Sequence, residues 1–249
     1  MEKYFIGIDS GTSEIKAVLF DLKGNELGQK SFPLKGIFPR EDMYEEDMLE
    51  IWDKAVKCVK AVTGAFPDKE VVGIGITAQG DGLWMVDENM EPVRNGCCFC
   101  DGRAAKIVDR WVEDGTCDKL FEITGTRIFT GNQNGIVKWM EEHEPENLDR
   151  SRWLLHLKDY LFYRFTGKIT TDATDQSLIF LDQNKRDYLD ETFKICGIEK
   201  YKDKYPPVLS AKENAFPVQK ELAKELGLGE NVIVTSGPMD VSACALGSG

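Results

Sequence analysis

The stretch Tyr4 to Asp21, YFIGIDSGTSEIKAVLFD, limits what this chain can fold into more than any other segment. Two runs with the alternation of β-strands flank the turn Asp9-Ser10-Gly11-Thr12, so the chain must reverse on itself within a few small residues. Such a turn can hold phosphate. Glycine lets the backbone approach an anion, successive N–H groups and a hydroxyl can point at phosphate oxygens, and a carboxylate at the strand end can hold Mg²⁺. An ordinary hairpin uses the same residue types, so the segment alone leaves both readings open.

Near the other end, Asn231-Val-Ile-Val-Thr-Ser-Gly-Pro-Met-Asp240 reads as a buried strand running into a Gly-Pro turn that presents a carboxylate. Asp240 then opens a helix of small residues, where an aspartate can also serve as a simple cap. Two acidic strand-end turns nearly a chain length apart argue for more than capping.

With 249 residues, 42% of them hydrophobic, the chain can bury a core as one large α/β domain or two small ones. Its 43 acidic and 31 basic residues give a net charge of −12, which repels a polyanionic backbone and argues against nucleic acid as a partner. A single phosphate ligand survives that objection, because amides, a helix end and a metal ion act locally. The seven cysteines are odd in number, and Cys97, Cys98 and Cys100 crowd too closely for a disulfide framework, which suits reduced thiols. His143 and His156 lie far from that cluster without zinc-type spacing. The N-terminus lacks a basic region followed by an apolar one, and no run approaches the ~20 apolar residues of a membrane span. The expectation is a cytoplasmic protein with no membrane partner.

Strands are expected at Tyr4 to Asp9, Ile15 to Asp21 and Glu26 to Phe32, the last two joined by Lys23-Gly24-Asn25, as an antiparallel meander. Glu45 to Thr63 carries apolar residues on one helical face, and Val71 to Thr77 reads as a buried strand. Meander, helix, strand is the opening of a ribonuclease-H-like α/β unit. A short strand at Leu83 to Asp87 precedes a mostly helical middle: Arg103 to Val112, Lys119 to Ile123, Gly135 to Glu142 and Leu157 to Phe165. A closing unit follows, with a helix from Pro217 to Leu226, a strand from Val232 to Thr235 and a helix from Val241 to Leu246. Trp52, Trp139 and Trp153 fall on apolar faces and read as core rather than ligand-stacking platforms.

Five segments in order resemble the N-terminal half of the FGGY family of carbohydrate kinases, the relatives of glycerol kinase, xylulokinase and erythritol kinase. They are GIDSGTSEIKAVLFD; Tyr44-Glu45-Glu46-Asp47 with Trp52; Ile74-Gly-Ile-Thr-Ala-Gln79-Gly80; Lys158-Asp159-Tyr160-Leu161 through Thr166-Gly167 to Thr171-Asp172; and GPMDVSACALGSG. The resemblance runs almost end to end. It implies two ribonuclease-H-like domains of the actin and Hsp70 type, each a mixed sheet with flanking helices, here with a helical insertion. Residues 1–249 would be the first, sugar-binding domain, and a nucleotide-binding domain would lie outside this chain.

By that resemblance ATP and Mg²⁺ are the cofactors and a small sugar or polyol is the substrate, while a homodimer is left open. Asp240 would be the general base and Asp9 would organise the metal. Ser10, Gly11, Thr12 and Ser13 would face the phosphates; Lys16 could reach them too, or stand as a solvated strand lysine. Gln79, Gly80, Asp81, Asp101, Arg103 and Gln133 would line the sugar pocket with Asp240. Asp101 and Arg103 could equally form a structural salt bridge at the head of a helix, and the amide-rich loop Thr130-Gly-Asn132-Gln133-Asn134 could line the pocket too or be a plain turn. Glycerol kinase relatives carry Gln-Arg-Glu, and xylulokinase relatives Met-His-Gly, where this chain has Gln79-Gly80-Asp81. Val241 also stands where relatives often carry Asn or Gln. These departures point to a polyol or an atypical ketose, with a tetritol such as erythritol or a pentulose such as xylulose foremost. The competing readings are a non-catalytic actin-like or Hsp70-like domain and a degenerate kinase that only senses sugar.

Overall fold

The computed structural model describes residues 2–182 and 184–249, so Met1 of the N-terminal reading lies outside the described residues. The meander forms as expected, with β1 at Lys3–Ser10, β2 at Glu14–Asp21 and β3 at Glu26–Pro33. Helix α1, Met48–Ala65, then crosses to the next strand, β4 at Glu70–Ala78. This helix begins three residues later than the apolar spacing suggests. Asp47 caps it by accepting from the amides of Leu49 and Glu50, while Glu45–Glu46 is drawn into a short antiparallel pairing with Gly96–Cys97.

β4 lies at the centre of the six-stranded sheet. It runs parallel to β1 on one side and, on the other, to the late strand Ile233–Ser236. A three-residue edge strand, Ala215–Pro217, takes the place of the first turn expected of the helix from Pro217; that helix spans only Lys220–Glu225. Proline cannot donate to a ladder, which suits it to the last position of an edge strand. In chain order these strands are β5, Ala215–Pro217, and β6, Ile233–Ser236.

One face of the sheet packs on α1 and on a second long helix, Leu157–Thr166, through Ile6, Ile8, Ile15, Leu19, Ile51, Val59, Ile74, Ile76, Tyr160 and Phe162, all essentially excluded from solvent. Trp52 meets Phe165 edge-on at 5.1 Å on the border of this cluster. A separate core gathers the helical insertion, Ala105–Glu113, Thr116–Thr124 and Gln133–His143, around Leu83, Met85, Trp139, Met140 and Phe180. No helix among the described residues is long and apolar enough to cross a membrane.

The short pairing of Glu45–Glu46 with Gly96–Cys97 depends on a close approach, because a Cβ on Gly96 would sit 1.9 Å from the fully buried Trp84 ring. Gly96→Ala must therefore displace an indole that has no space to move. Overpacking of this kind costs about 1–3 kcal/mol. Thermal unfolding is expected to show a fall of roughly 3–10 °C in melting temperature for a chain of this size, and an unchanged transition would refute the close fit.

Candidate active site

Because β1, β4 and β6 are parallel and in register, their carboxyl ends leave the sheet at one edge: Asp9 is level with Thr77, Ser10 with Ala78 and Ser236 with Ile76. The three turns that follow, residues 11–13, 79–82 and 237–239, rim a common crevice, the place where open α/β sheets bind ligands.

On the first turn, Asp9 keeps a side chain 41% exposed and faces Lys16 across the β1–β2 pair, with Nζ 3.4 Å from Oδ2. Lys16 is thus tied to the carboxylate on its neighbouring strand. Ser10 is buried and its hydroxyl has no partner. The Gly11 amide is committed to the Glu14 carbonyl at 3.0 Å, while Thr12 is half-buried and Ser13 is exposed.

On the third turn Asp240 opens a helix, Asp240–Gly247, none of whose residues is buried. The Val241 amide donates to its carboxylate at 2.7 Å, and the Gly80 amide lies near enough to favour the charged form. Burial raises its pKa above the ordinary carboxylate range, and the negative charge of Asp9 pushes the same way against those two amides. The carboxylates of Asp9 and Asp240 therefore face one crevice.

The middle turn holds the sugar-pocket candidates. Asp81 has left-handed backbone at φ 56 and accepts from Asn132 Nδ2 at 2.6 Å. Burial pushes its carboxyl up to about 6; Asn132 and His156 oppose the shift, and Asp175 and Asp240 add to it. Gly82, at φ 74, has the Cys97 carbonyl only 2.4 Å from where a Cβ would stand, so this turn tolerates no side chain there. Gly80 lies against Met239.

Gln79 is buried with both ends of its amide engaged: Nε2 donates to Glu46 at 2.7 Å, and Oε1 accepts from the Cys98 thiol at 2.7 Å. Burial pushes the Glu46 carboxyl up to about 7 despite that bond. Glu46 and Cys98 are not among the site residues read from the sequence, because their links to Gln79 span 33 and 19 residues of chain.

Asp101 and Arg103 have the geometry of the structural salt bridge. Arg103 Nε and Nη2 bind the two Asp101 oxygens at 2.7 and 2.9 Å, Nη2 also reaches Glu45 at 2.7 Å, and the Tyr44 amide donates to Asp101 at 2.8 Å. The guanidinium lies over the Trp139 ring, 5.0 Å from its centroid. Gln133 is likewise turned to the backbone, donating to the carbonyls of Gly82 and Leu155. These three side chains are committed to those bonds, and the candidates that converge are Asp9, Gly80, Asp81 and Asp240.

Comparison with known proteins gives this geometry its setting. Residues 4–247 match the family described as the FGGY family of carbohydrate kinases, N-terminal domain. The chain belongs to the FGGY family of carbohydrate kinases. It is 32% identical to an L-xylulose/3-keto-L-gulonate kinase of Escherichia coli (strain K12), a match covering 100% of this chain and 51% of that protein. It is 29% identical to an erythritol kinase of Brucella abortus (strain 2308), over 98% of this chain and 47% of that one. Among solved structures, a xyloylose kinase from Brucella ovis superposes with a TM-score of 0.89 at 27% identity, covering 96% of this chain and 49% of the other. The chain spans about half the length of the curated relatives it matches. The actin- and Hsp70-type fold expected from the sequence is that of its structural neighbours.

The raised carboxyls have a measurable consequence for stability. Glu46 at about 7 and Asp81 at about 6 bind protons more tightly in the folded chain than in the unfolded one, where they titrate near 4.5 and 3.8. Between about pH 4 and pH 7 the folded state holds more protons, so stability falls as pH rises through that window. Glu46→Gln removes the larger contribution and leaves an oxygen that can accept from Gln79. Denaturant titrations are expected to show a flatter pH slope and, near pH 8, a gain on the order of 1–3 kcal/mol; a slope equal to wild type would overturn this account.

Proposed function

We propose that this chain is the sugar-binding half of an ATP-dependent kinase that phosphorylates a small sugar or sugar alcohol, a pentulose or a tetritol. The observation that carries the reading is the convergence of Asp9 and Asp240 on one crevice, with Gly80 and Asp81 between them. The names of the relatives, a kinase of L-xylulose and 3-keto-L-gulonate and a kinase of erythritol, support the substrate class. They also favour a kinase over a non-catalytic actin-like domain or a sugar sensor.

In this mechanism Asp240 is the base. The acceptor hydroxyl donates to its carboxylate, the hydroxyl oxygen forms a bond to the γ-phosphorus, the bond from that phosphorus to the bridging oxygen breaks, and ADP leaves while the proton passes to Asp240. A carboxyl raised above its ordinary range receives that proton more readily than an unperturbed one. The Val241 amide holds the carboxylate in place as the proton arrives. Asp81, pinned by Asn132, offers the sugar an acceptor in a pocket where an unpaired polar group costs about 1–3 kcal/mol, and so selects hydroxyl positions.

The donor set fits Mg²⁺ better than a metal with a dedicated cage. Among the described residues no group of three His, Cys, Asp or Glu is arranged to hold a metal ion. Mg²⁺ commonly uses one or two carboxylates and completes its shell with water and phosphate oxygens. Asp9 would be its protein anchor, and the ion would neutralise charge on the transferring phosphate. The unpartnered Ser10 hydroxyl, Thr12 and Ser13 would meet the phosphates, with Lys16 exchanging Asp9 for them. Adenosine would be held by a second domain of the kind found in full-length family members.

Asp240→Asn is expected to abolish turnover of the complete protein, while sugar affinity measured by calorimetry stays within about tenfold, as for a group that acts in the transition state. Retained turnover would remove Asp240 from its role. A thermal-shift panel of polyols and ketoses with three to six carbons should raise the melting temperature with at least one member, and no shift with any of them would count against the sugar site.

A further inference from the structure

The Val241 amide of its own helix holds the Asp240 carboxylate, but that helix carries no side-chain cap at its N-terminus to fix the turn before it. The anchors come from outside. On one side, Thr77 on β4 donates its hydroxyl to the Pro238 carbonyl at 2.7 Å, and the Gly237 amide donates to the Ile76 carbonyl at 2.8 Å. On the other side, the Met239 amide donates to the Thr174 hydroxyl oxygen at 2.9 Å. Thr174 lies in the short helix Ala173–Gln176, whose cap is Asp172.

The Thr174 hydroxyl is not free to turn away. It donates to Asp172 Oδ1 at 2.5 Å, and the Thr174 amide donates to the same oxygen at 2.6 Å. With its proton committed to Asp172, the hydroxyl presents a lone pair to the Met239 amide. The other oxygen of Asp172 is bound by Lys158, which is fully buried and also reaches Asp175 at 3.0 Å, Asp159 at 3.8 Å and the Ser236 hydroxyl at 2.9 Å. Burial works against the Asp172 carboxylate, yet Lys158 and Thr174 hold it below the ordinary carboxylate range. A line of bonds thus runs from Lys158 through Asp172 and Thr174 to the residue before the base.

We propose that Thr174 is a positioning residue for Asp240: its hydroxyl, fixed by the Lys158–Asp172 pair, sets the Gly-Pro-Met turn so that the carboxylate meets the acceptor hydroxyl. This rests on the kinase reading given above, because it is the aim of a catalytic base that the hydroxyl controls. The chain of contacts gives a role to the buried Lys158, which reaches from its helix to Ser236 at the end of β6. Its charge is used to keep Asp172 ionised as the acceptor that orients Thr174.

The test is Thr174→Val, which keeps the branched shape and removes the hydroxyl, with Thr174→Ser as rescue and Thr174→Ala as a second deletion if the valine variant folds poorly. In the complete protein the deletions should lower kcat by about ten- to a hundredfold, the scale of a small misplacement at the reacting atoms, with sugar KM within about threefold of wild type. Serine should restore kcat to within about threefold. In the chain described here, hydrogen exchange at the Met239 amide should quicken at least ~tenfold in the deletions while core amides keep their protection. Wild-type kcat with a protected Met239 amide would overturn the proposal, as would a parallel loss of kcat, sugar KM and core protection that serine fails to rescue. If the wild-type protein phosphorylated none of the sugars and polyols, the kinase reading would fail, and the exchange measurement would still decide whether Thr174 anchors the turn.

Discussion

Parallel hydrogen bonding of β4 to both β1 and β6 is the constraint from which the site follows. Parallel strands share a direction, so their carboxyl ends must lie at one edge, and segments separated by more than two hundred residues of sequence are delivered to the same crevice. The register is as important as the direction. Side chains alternate faces with a period of two, so slipping β1 by one residue would carry Asp9 to the opposite face and bring Ile8 into its place. Ile6, Ile8, Ile74 and Ile76, buried against α1 and Leu157–Thr166, resist that slip because each would have to move into solvent.

The crevice gathers negative charge in a chain that already carries a surplus of it. Asp240 and Asp81 both stand above their ordinary pKa, chiefly through burial, and each is pushed further by a neighbouring carboxylate. Local dipoles and cations offset part of this: the Gly80 amide at Asp240, Asn132 at Asp81, and Lys16 at Asp9. What remains is a site less comfortable empty than it would be beside a cation, the pattern expected where function sets aside local stability.

The meander, the central strand and the two acidic turns were legible in the sequence because each rests on a short-range signal: alternation, a glycine turn, a carboxylate at a strand end. Boundaries failed where tertiary pairing overrode local preference, as when Glu45–Glu46 joined Gly96–Cys97 instead of opening α1, and Ala215–Pro217 joined the sheet edge. The site was half legible. The turns place Asp9 and Asp240 at strand ends that share a crevice, and the salt-bridge alternative for Asp101 and Arg103 describes their bonds. Glu46, Lys158 and Thr174 owe their places to partners from 14 to 78 residues away, which no local window shows. Lys158, which the sequence places on a helix, is completely buried there.

The left-handed backbone at Asp81 also bears on how such a pocket could diversify. Asparagine, aspartate, histidine and glycine enter that conformation at modest cost, whereas branched and bulky residues are strained in it. Evolution at this position is thereby channelled: drift among small polar or imidazole side chains stays open, and conversion to an aliphatic lining is closed unless the turn itself is rebuilt. The dihedral angle acts as a filter on which side chains this turn can carry, keeping that part of the crevice hydrophilic unless the backbone changes with it.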